Sequence, residues 1–262
     1  VLPDVTFVPT PASTNRQSMA MHARPLFRVK ICGVTRIDDA RHAVAAGADA
    51  IGLNFVPGSP RCLGSGEAAA IAAVIPRGVL RVGVFVGTPA AAIRGIVAAV
   101  GLDAVQLHGQ WPADTEATAD PPDTCAALAG IPVIRAVRLG TGTGPAALDG
   151  AREWVRQAAA LGHGPSLVLV DASPPAGAGA AAFGGSGRTV DWPALRAAGG
   201  LAVPIGIAGG LRPDNVARAI TESGAVAVDT ASGVEVTPGV KDAAAVRRFV
   251  EAAREAFSRL SS

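Results

Sequence analysis

The stretch LRVGVFVGTPAAAIRGIVAAVGLDAVQL, residues 80–107, is where the architecture of this chain can first be read. Two short apolar runs, 80–85 and 103–107, enclose an Ala-rich amphipathic stretch at 89–99. The runs have the length of strands and the stretch between them the length of a helix. Thr88-Pro89 marks the helix start, because the first turn has no use for the N–H that Pro lacks. A strand, a helix and a second strand in so few residues make a crossover unit, and strands joined in this way run parallel.

The same unit recurs on both sides. The pattern predicts strands at 28–32, 49–54, 80–85, 103–107, 132–137, 166–171, 203–208 and 225–229. It predicts helices at 38–46, 66–75, 89–99, 123–129, 146–161, 192–198, 213–222 and 242–257. Ala46-Gly47-Ala48-Asp49 and Ser223-Gly224-Ala225 read as helix C-caps feeding the next strand, and Arg212-Pro213-Asp214 places Pro in a first turn. Regular alternation of strands and helices implies an all-parallel sheet, and eight units are the number that closes a (β/α)8 TIM barrel. An open doubly wound sheet rarely needs eight such regular units. A chain of 262 residues fits one α/β barrel domain, which typically runs about 250.

The barrel is assigned to residues 28–262. Residues 1–27 differ, with turn formers, no sustained apolar run and no period. They are expected to be a disordered tail, or an artefact upstream of a start at Met19 or Met21. They lack the apolar core of a secretory signal, and no stretch of the chain is long enough to span a membrane.

Composition narrows the function. A net charge of +2 with no basic run gives no support to nucleic-acid binding. Cys32, Cys62 and Cys125 lack CxxC spacing, which argues against a disulfide framework or a zinc site and fits a reducing cytoplasm. The four histidines form no HxxxH pair, so no metal site can be read.

In a barrel the chemistry sits at the C-terminal ends of the strands. Cys32, Asp171 and Asp229 end the first, sixth and eighth strands, and Arg61 lies in the loop after the second. Each alone has an ordinary reading. A buried free Cys behaves as a small hydrophobe, an Asp after a strand is often a turn former or a cap, and a loop Arg is often just solvated. The glycines are more telling as a set: Phe183-Gly184-Gly185-Ser186-Gly187, Ala208-Gly209-Gly210 and Ala231-Ser232-Gly233 follow strands six, seven and eight. Barrels frequently hold phosphate with the loops after strands seven and eight. Two long stretches fall on the same face. Residues 110–122 read as an enlarged loop, and 172–190 as a Gly/Ala/Pro loop able to close over a ligand. Gly187-Arg188-Thr189 imitates the end of a P-loop, but Arg replaces the Lys and no strand leads into it.

KICGVTR (30–36), GLNFVPGSPR (52–61), QLHG (106–109), LVLVD with FGGSGRTVDW (167–192), IAGGL (207–211) and DTASGVEVTPGVKD (229–242) occur in this order. With these motifs the chain resembles the phosphoribosylanthranilate isomerase family of tryptophan biosynthesis over nearly everything from 28 to 257. The resemblance implies a TIM barrel that performs an Amadori rearrangement of N-(5'-phosphoribosyl)anthranilate, with no cofactor or metal. It implies Cys32 as general base, Asp171 as general acid and Arg61 as the ligand of the anthranilate carboxylate. Gly185, Gly209, Gly210, Ala231 and Ser232 match the phosphate cradle, and Asp229 is a further substrate-binding position. Ala231 stands where the family more commonly has Ser, in DVSSG. The implied partner is the small-molecule substrate, with no nucleic acid and no membrane, in a monomer or a homodimer.

Lys30, one of only two lysines, shares a strand face with Cys32 because side chains two apart point the same way. Two readings follow: Lys30 lowers the Cys32 pKa, or it pairs with a carboxylate inside the barrel. A Schiff-base aldolase on a phosphate-binding barrel is the alternative enzyme class, but Lys30 and Lys241 are poorly placed for it. A non-catalytic barrel that only binds a sugar phosphate is the other alternative, and Cys32 with Asp171 speaks against it.

Overall fold

The computed structural model describes residues 25–110, 119–138, 145–172 and 189–260. They form a closed barrel of parallel strands in sequence order: β1 (Val29–Ile31), β2 (Ala50–Asn54), β3 (Leu80–Phe85), β4 (Ala104–Leu107), β5 (Val133–Arg138), β6 (Leu167–Asp171), β7 (Ile205–Ile207) and β8 (Ala227–Thr230). The barrel closes where β8 pairs with β1, with Lys30 opposite Asp229. The helices between and after the strands are α1 (Ile37–Ala45), α2 (Ser65–Ala72), α3 (Ala90–Val100), α4 (Pro122–Ala127), α5 (Asp149–Ala160), α6 (Trp192–Ala197), α7 (Val216–Ser223) and α8 (Ala243–Leu260). Among the described residues no helix is long and apolar enough to cross a membrane.

Strand periodicity splits the core in two. Ala50, Val82, Ala104, Leu169 and Ala227 fill the barrel, while Val29, Ile31, Val105, Val168 and Val228 face the helices. Burial on both faces is why the strands read as continuous apolar runs rather than as alternating ones. Leu26 and Phe27 join the interior cluster, and Phe27 is only 3% exposed. Packing into the barrel therefore begins inside the segment that the sequence assigned to the tail. Residues 1–24 lie outside the described residues.

Helix ends follow local chemistry. α7 stops at Gly224, whose left-handed φ of 70° few other residues tolerate. The predicted start of that helix moves, however, from 213 to Val216. Asn215 accepts a hydrogen bond from the Arg212 N–H (2.7 Å) and donates one to the Gly210 carbonyl (3.0 Å). That competing turn delays the helix and ties it to the glycine loop after β7. The predicted helix at 146–161 begins instead as a 3-10 turn, Pro145–Leu148, which leads into α5.

The two long loops lie largely outside the described residues, at 111–118 and 173–188, and Gly185 lies there too. After β8 the chain makes a short 3-10 turn, Ser232–Val234, and then an antiparallel hairpin that the pattern did not predict, β9 (Glu235–Thr237) and β10 (Val240–Lys241). The hairpin is fastened to the region after β1. The Thr35 hydroxyl donates to the Gly239 carbonyl (2.6 Å), and the Lys241 N–H donates to Asp39 (3.0 Å).

Candidate active site

Residues at the C-terminal ends of the strands, and in the loops that follow them, line one pocket. Cys32, Arg61, Asp171, Gly209, Gly210, Asp229, Ala231 and Ser232 all line it, so the structure gathers every described residue singled out from the sequence.

Cys32 directly follows β1, and its N–H donates to the Thr230 carbonyl (2.8 Å) across the barrel seam. Its neighbour on the same face is Lys30, which is fully buried and donates to Asp229 at 2.9 Å. Gly52 faces both. A Cβ there would lie 2.7 Å from the Cys32 sulfur and 3.1 Å from the Lys30 nitrogen, so the thiol and the ammonium converge on a space that only a hydrogen leaves free. The pairing of Lys30 with a carboxylate is seen directly, and the same ammonium also faces Cys32. Burial lowers the Lys30 pKa, but the charges of Asp229 and Cys32 and the hydrogen bonds with both together outweigh it, and the ammonium is held above its ordinary value. For Cys32, burial pushes the thiol up, and the opposing pull of Lys30 does not cancel it, so its pKa stays above the ordinary thiol value.

Asp171 ends β6, and His108 Nε2 sits 3.2 Å from its carboxylate, although off the line of a good hydrogen bond. Sequence reasoning gave His108 no role of its own. The available signal was period two, because His108 lies two residues beyond the inward-facing Gln106. A buried carboxylate, Asp120, accepts hydrogen bonds from the N–H groups of Gly87 (3.0 Å) and Gly109, and so fixes the loops after β3 and β4 that carry His108. Gln106 Oε1 and Asp229 Oδ1 are buried without a hydrogen-bond partner among the described residues. Both residues border the pocket, and both have unmet capacity for a hydroxyl donor.

Arg61 reaches the pocket from the loop after β2. Its aliphatic stem crosses Gly33, where any Cβ would overlap the Arg61 Cδ, so the glycine of KICG clears a path for this side chain. The guanidinium then pairs with Glu235 through Nε to Oε1 (2.8 Å) and Nη2 to Oε2 (2.6 Å). Lys241 also donates to Glu235 (2.7 Å) and to the Ala231 carbonyl (3.1 Å). Burial pushes the Glu235 carboxyl up, but hydrogen bonds from Arg61 and the charge of Lys241 hold it below the usual carboxylate range. The hydrogen bond to Glu235 raises the Arg61 pKa further, so this group stays charged. Neither Glu235 nor the pairing of Lys241 was read from the sequence, because the hairpin that brings them to Arg61 was not.

The loops after β7 and β8 meet at this end of the pocket. The Thr230 hydroxyl donates to the Leu211 carbonyl (2.8 Å), which stacks one loop on the other. Gly209 and Gly210 both have left-handed φ, at 78° and 60°.

Comparison with known proteins places this geometry. A sequence model of the family described as N-(5'phosphoribosyl)anthranilate (PRA) isomerase matches residues 29–252. An N-(5'-phosphoribosyl)anthranilate isomerase of Myxococcus xanthus is 44% identical over 227 residues, which are 87% of this chain and 96% of that protein. Among solved structures, the phosphoribosyl anthranilate isomerase of Thermotoga maritima superposes with a TM-score of 0.71 at 34% identity, covering 88% of this chain and 100% of that one. One solved in complex with reduced 1-(o-carboxyphenylamino)-1-deoxyribulose 5-phosphate superposes with a TM-score of 0.68 at 31% identity, covering 88% of this chain and 100% of that one. Matched in sequence over nearly the whole barrel, and in fold by relatives that it covers from end to end, the chain belongs to the N-(5'-phosphoribosyl)anthranilate isomerase family.

Proposed function

We propose that this barrel catalyses the Amadori rearrangement of N-(5'-phosphoribosyl)anthranilate to 1-(2-carboxyphenylamino)-1-deoxyribulose 5-phosphate, with Cys32 as base and Asp171 as acid. The observation that carries the assignment of roles is the placement of these two side chains at the ends of β1 and β6, in one pocket with Arg61 and the paired glycine loops. The protonated Asp171 carboxyl gives its proton to the ring oxygen as the bond from C1' to that oxygen breaks, leaving an open-chain iminium. The Cys32 thiolate takes the C2' proton, which the iminium has made acidic, and the resulting enolamine tautomerises to the ketone. Arg61 binds the anthranilate carboxylate, because a guanidinium edge offers two parallel N–H donors. Gly209, Gly210, Ala231 and Ser232 form the phosphate end. Ala231 contributes only backbone there, and Lys241 already holds its carbonyl.

Reference values of about 3.9 for Asp and 8.5 for Cys make the working ionisation state unfavourable by roughly 6 kcal/mol unless the site retunes both groups. Lys30 works most toward that retuning at the sulfur, with a smaller pull in the same direction from Lys241.

The aldolase reading loses its nucleophile. Lys30 is buried against Asp229, and the Lys241 ammonium is shared by Glu235 and the Ala231 carbonyl. Either a monomer or a homodimer satisfies the isomerase reading. A cytoplasmic setting is supported by three free cysteines and a phosphorylated substrate. The test is turnover of phosphoribosylanthranilate by purified protein. Wild type should convert it, while Cys32→Ala and Asp171→Asn should each lose about 10²–10⁴-fold in kcat, the usual size of an acid–base contribution. Absence of wild-type turnover overturns the assignment of activity, and a fully active Cys32→Ala overturns the role of the thiol.

A further inference from the structure

We infer that Glu235 is a positioning residue for the substrate carboxylate, and that it determines which edge of Arg61 the pocket offers. This rests on Arg61 as the carboxylate ligand. A guanidinium has more than one donor edge. Glu235 occupies the edge formed by Nε and Nη2 with two short hydrogen bonds, at 2.8 and 2.6 Å. The edge formed by Nη1 and the second Nη2 hydrogen takes no part in that pairing, and Arg61 lines the pocket. A planar carboxylate can dock there through two parallel bonds while Glu235 stays in place.

Charge points the same way. Arg61 and Lys241 are two cations around one anion, Glu235, which leaves one positive charge in a cluster whose side chains are 0–7% exposed. A buried excess of one charge is costly until an anion meets it. The ligand it suits is therefore a monoanion with planar acceptor geometry, which an aromatic carboxylate supplies. Glu235 thus keeps the fork from swinging and prevents Arg61 and Lys241 from presenting two uncompensated charges. Lys241 has a separate hydrogen bond to the Ala231 carbonyl, which holds the phosphate loop without Glu235.

Glu235→Asp tests this while conserving charge, because the same carboxylate on a side chain one methylene shorter falls short of the Arg61 nitrogens. The expected result is a KM for phosphoribosylanthranilate raised about tenfold with kcat little changed, the pattern of lost binding that is equal in ground and transition states. The inhibition constant of inorganic phosphate should not move, and in an Arg61→Met background Glu235→Asp should add nothing to KM. An unchanged KM overturns the inference. So does a parallel weakening of phosphate, which would mean that Glu235 merely shapes the hairpin, and so does an additive effect on top of Arg61→Met. A second measurement needs no change at position 235. The Arg61 Nε–H resonance, assigned by its loss in Arg61→Lys, should stay protected from solvent exchange when 1-(2-carboxyphenylamino)-1-deoxyribulose 5-phosphate saturates the site. Faster exchange would mean that Glu235 leaves, and would overturn it. Wild-type turnover separates the two failures: without it the isomerase reading falls as well, and with it only the role of Glu235 is at stake.

Discussion

Burial holds the Cys32 thiol above its ordinary range while Lys30, converging with it over Gly52, pulls the other way. The pH dependence of the enzyme follows from that balance. The proposed mechanism needs Cys32 ionised and Asp171 protonated, the reverse of the intrinsic order of a thiol and a carboxyl. For such a reversed acid–base pair kcat/KM is flat between its two limbs and falls above the thiol pKa, where no more thiolate is gained. The alkaline limb therefore reports Cys32 and should lie above about 8.5. Lys30→Met removes the stabilising cation, so the thiol pKa should rise further. For each unit of that rise the plateau of kcat/KM should fall about tenfold while the alkaline limb moves up by one unit. Thiolate absorbance followed through a pH titration checks this, with Cys62, the exposed thiol, replaced by Ser. An unmoved thiol in Lys30→Met would leave Lys30 with its Asp229 pairing alone. His108 and Glu235 show what residue reading misses. Both lie inside quoted motifs, His108 in QLHG and Glu235 in DTASGVEVTPGVKD, but neither was given a role there, and each matters because of what the fold sets beside it, Asp171 at 3.2 Å and Arg61 at 2.6 Å.

The elements that were easiest to read are those whose signals are local. The helix start at α6 is one case. Asp191 caps it by accepting a hydrogen bond from the Ala194 N–H at 2.9 Å. Asp191→Ala should lower stability by about 1 kcal/mol, the usual worth of such a cap, measured by denaturant unfolding. A midpoint unchanged in that variant would mean that the cap adds nothing beyond solvation. By contrast, α7 starts at Val216 and not at 213, because Asn215 turns back to Arg212 and Gly210. The proline signal was genuine, but a side chain competing for backbone groups overrode it. The hairpin of β9 and β10 was harder still. Its strands are three and two residues long, too short for a period to show, and its anchors Thr35 and Asp39 lie some two hundred residues away in sequence. Yet this hairpin delivers Glu235 and Lys241 to the pocket.

The whole barrel depends on an interior built from small side chains, and on what plugs its lower end. Phe27 joins Ala50, Val82, Leu167 and Ala227 in the interior cluster. Truncating it should leave a cavity that these neighbours cannot collapse to fill. Phe27→Ala is expected to cost about 3–5 kcal/mol of unfolding free energy while leaving KM close to wild type, since the pocket is at the other end of the barrel. A loss below about 1 kcal/mol would show that Phe27 is not part of the cooperative core. At the seam between β8 and β1, Lys30 and Asp229 pair across the closure. Such a buried pair stabilises little by itself, but removing one partner strands the other charge. The sequence by itself determined the eight-unit alternation, most helix ends and, through the order of its motifs, the family resemblance that marked Cys32, Asp171, Arg61 and the glycine loops. These are set by periodicity and by turn chemistry within a few neighbouring residues. Only the tertiary structure decided that Lys30 pairs with Asp229 while also facing Cys32, that Glu235 fills one edge of Arg61, and that His108 stands against Asp171. Those contacts join residues 63 to 199 positions apart, and they exist only once the barrel has closed and the loops after its strands have converged on one mouth.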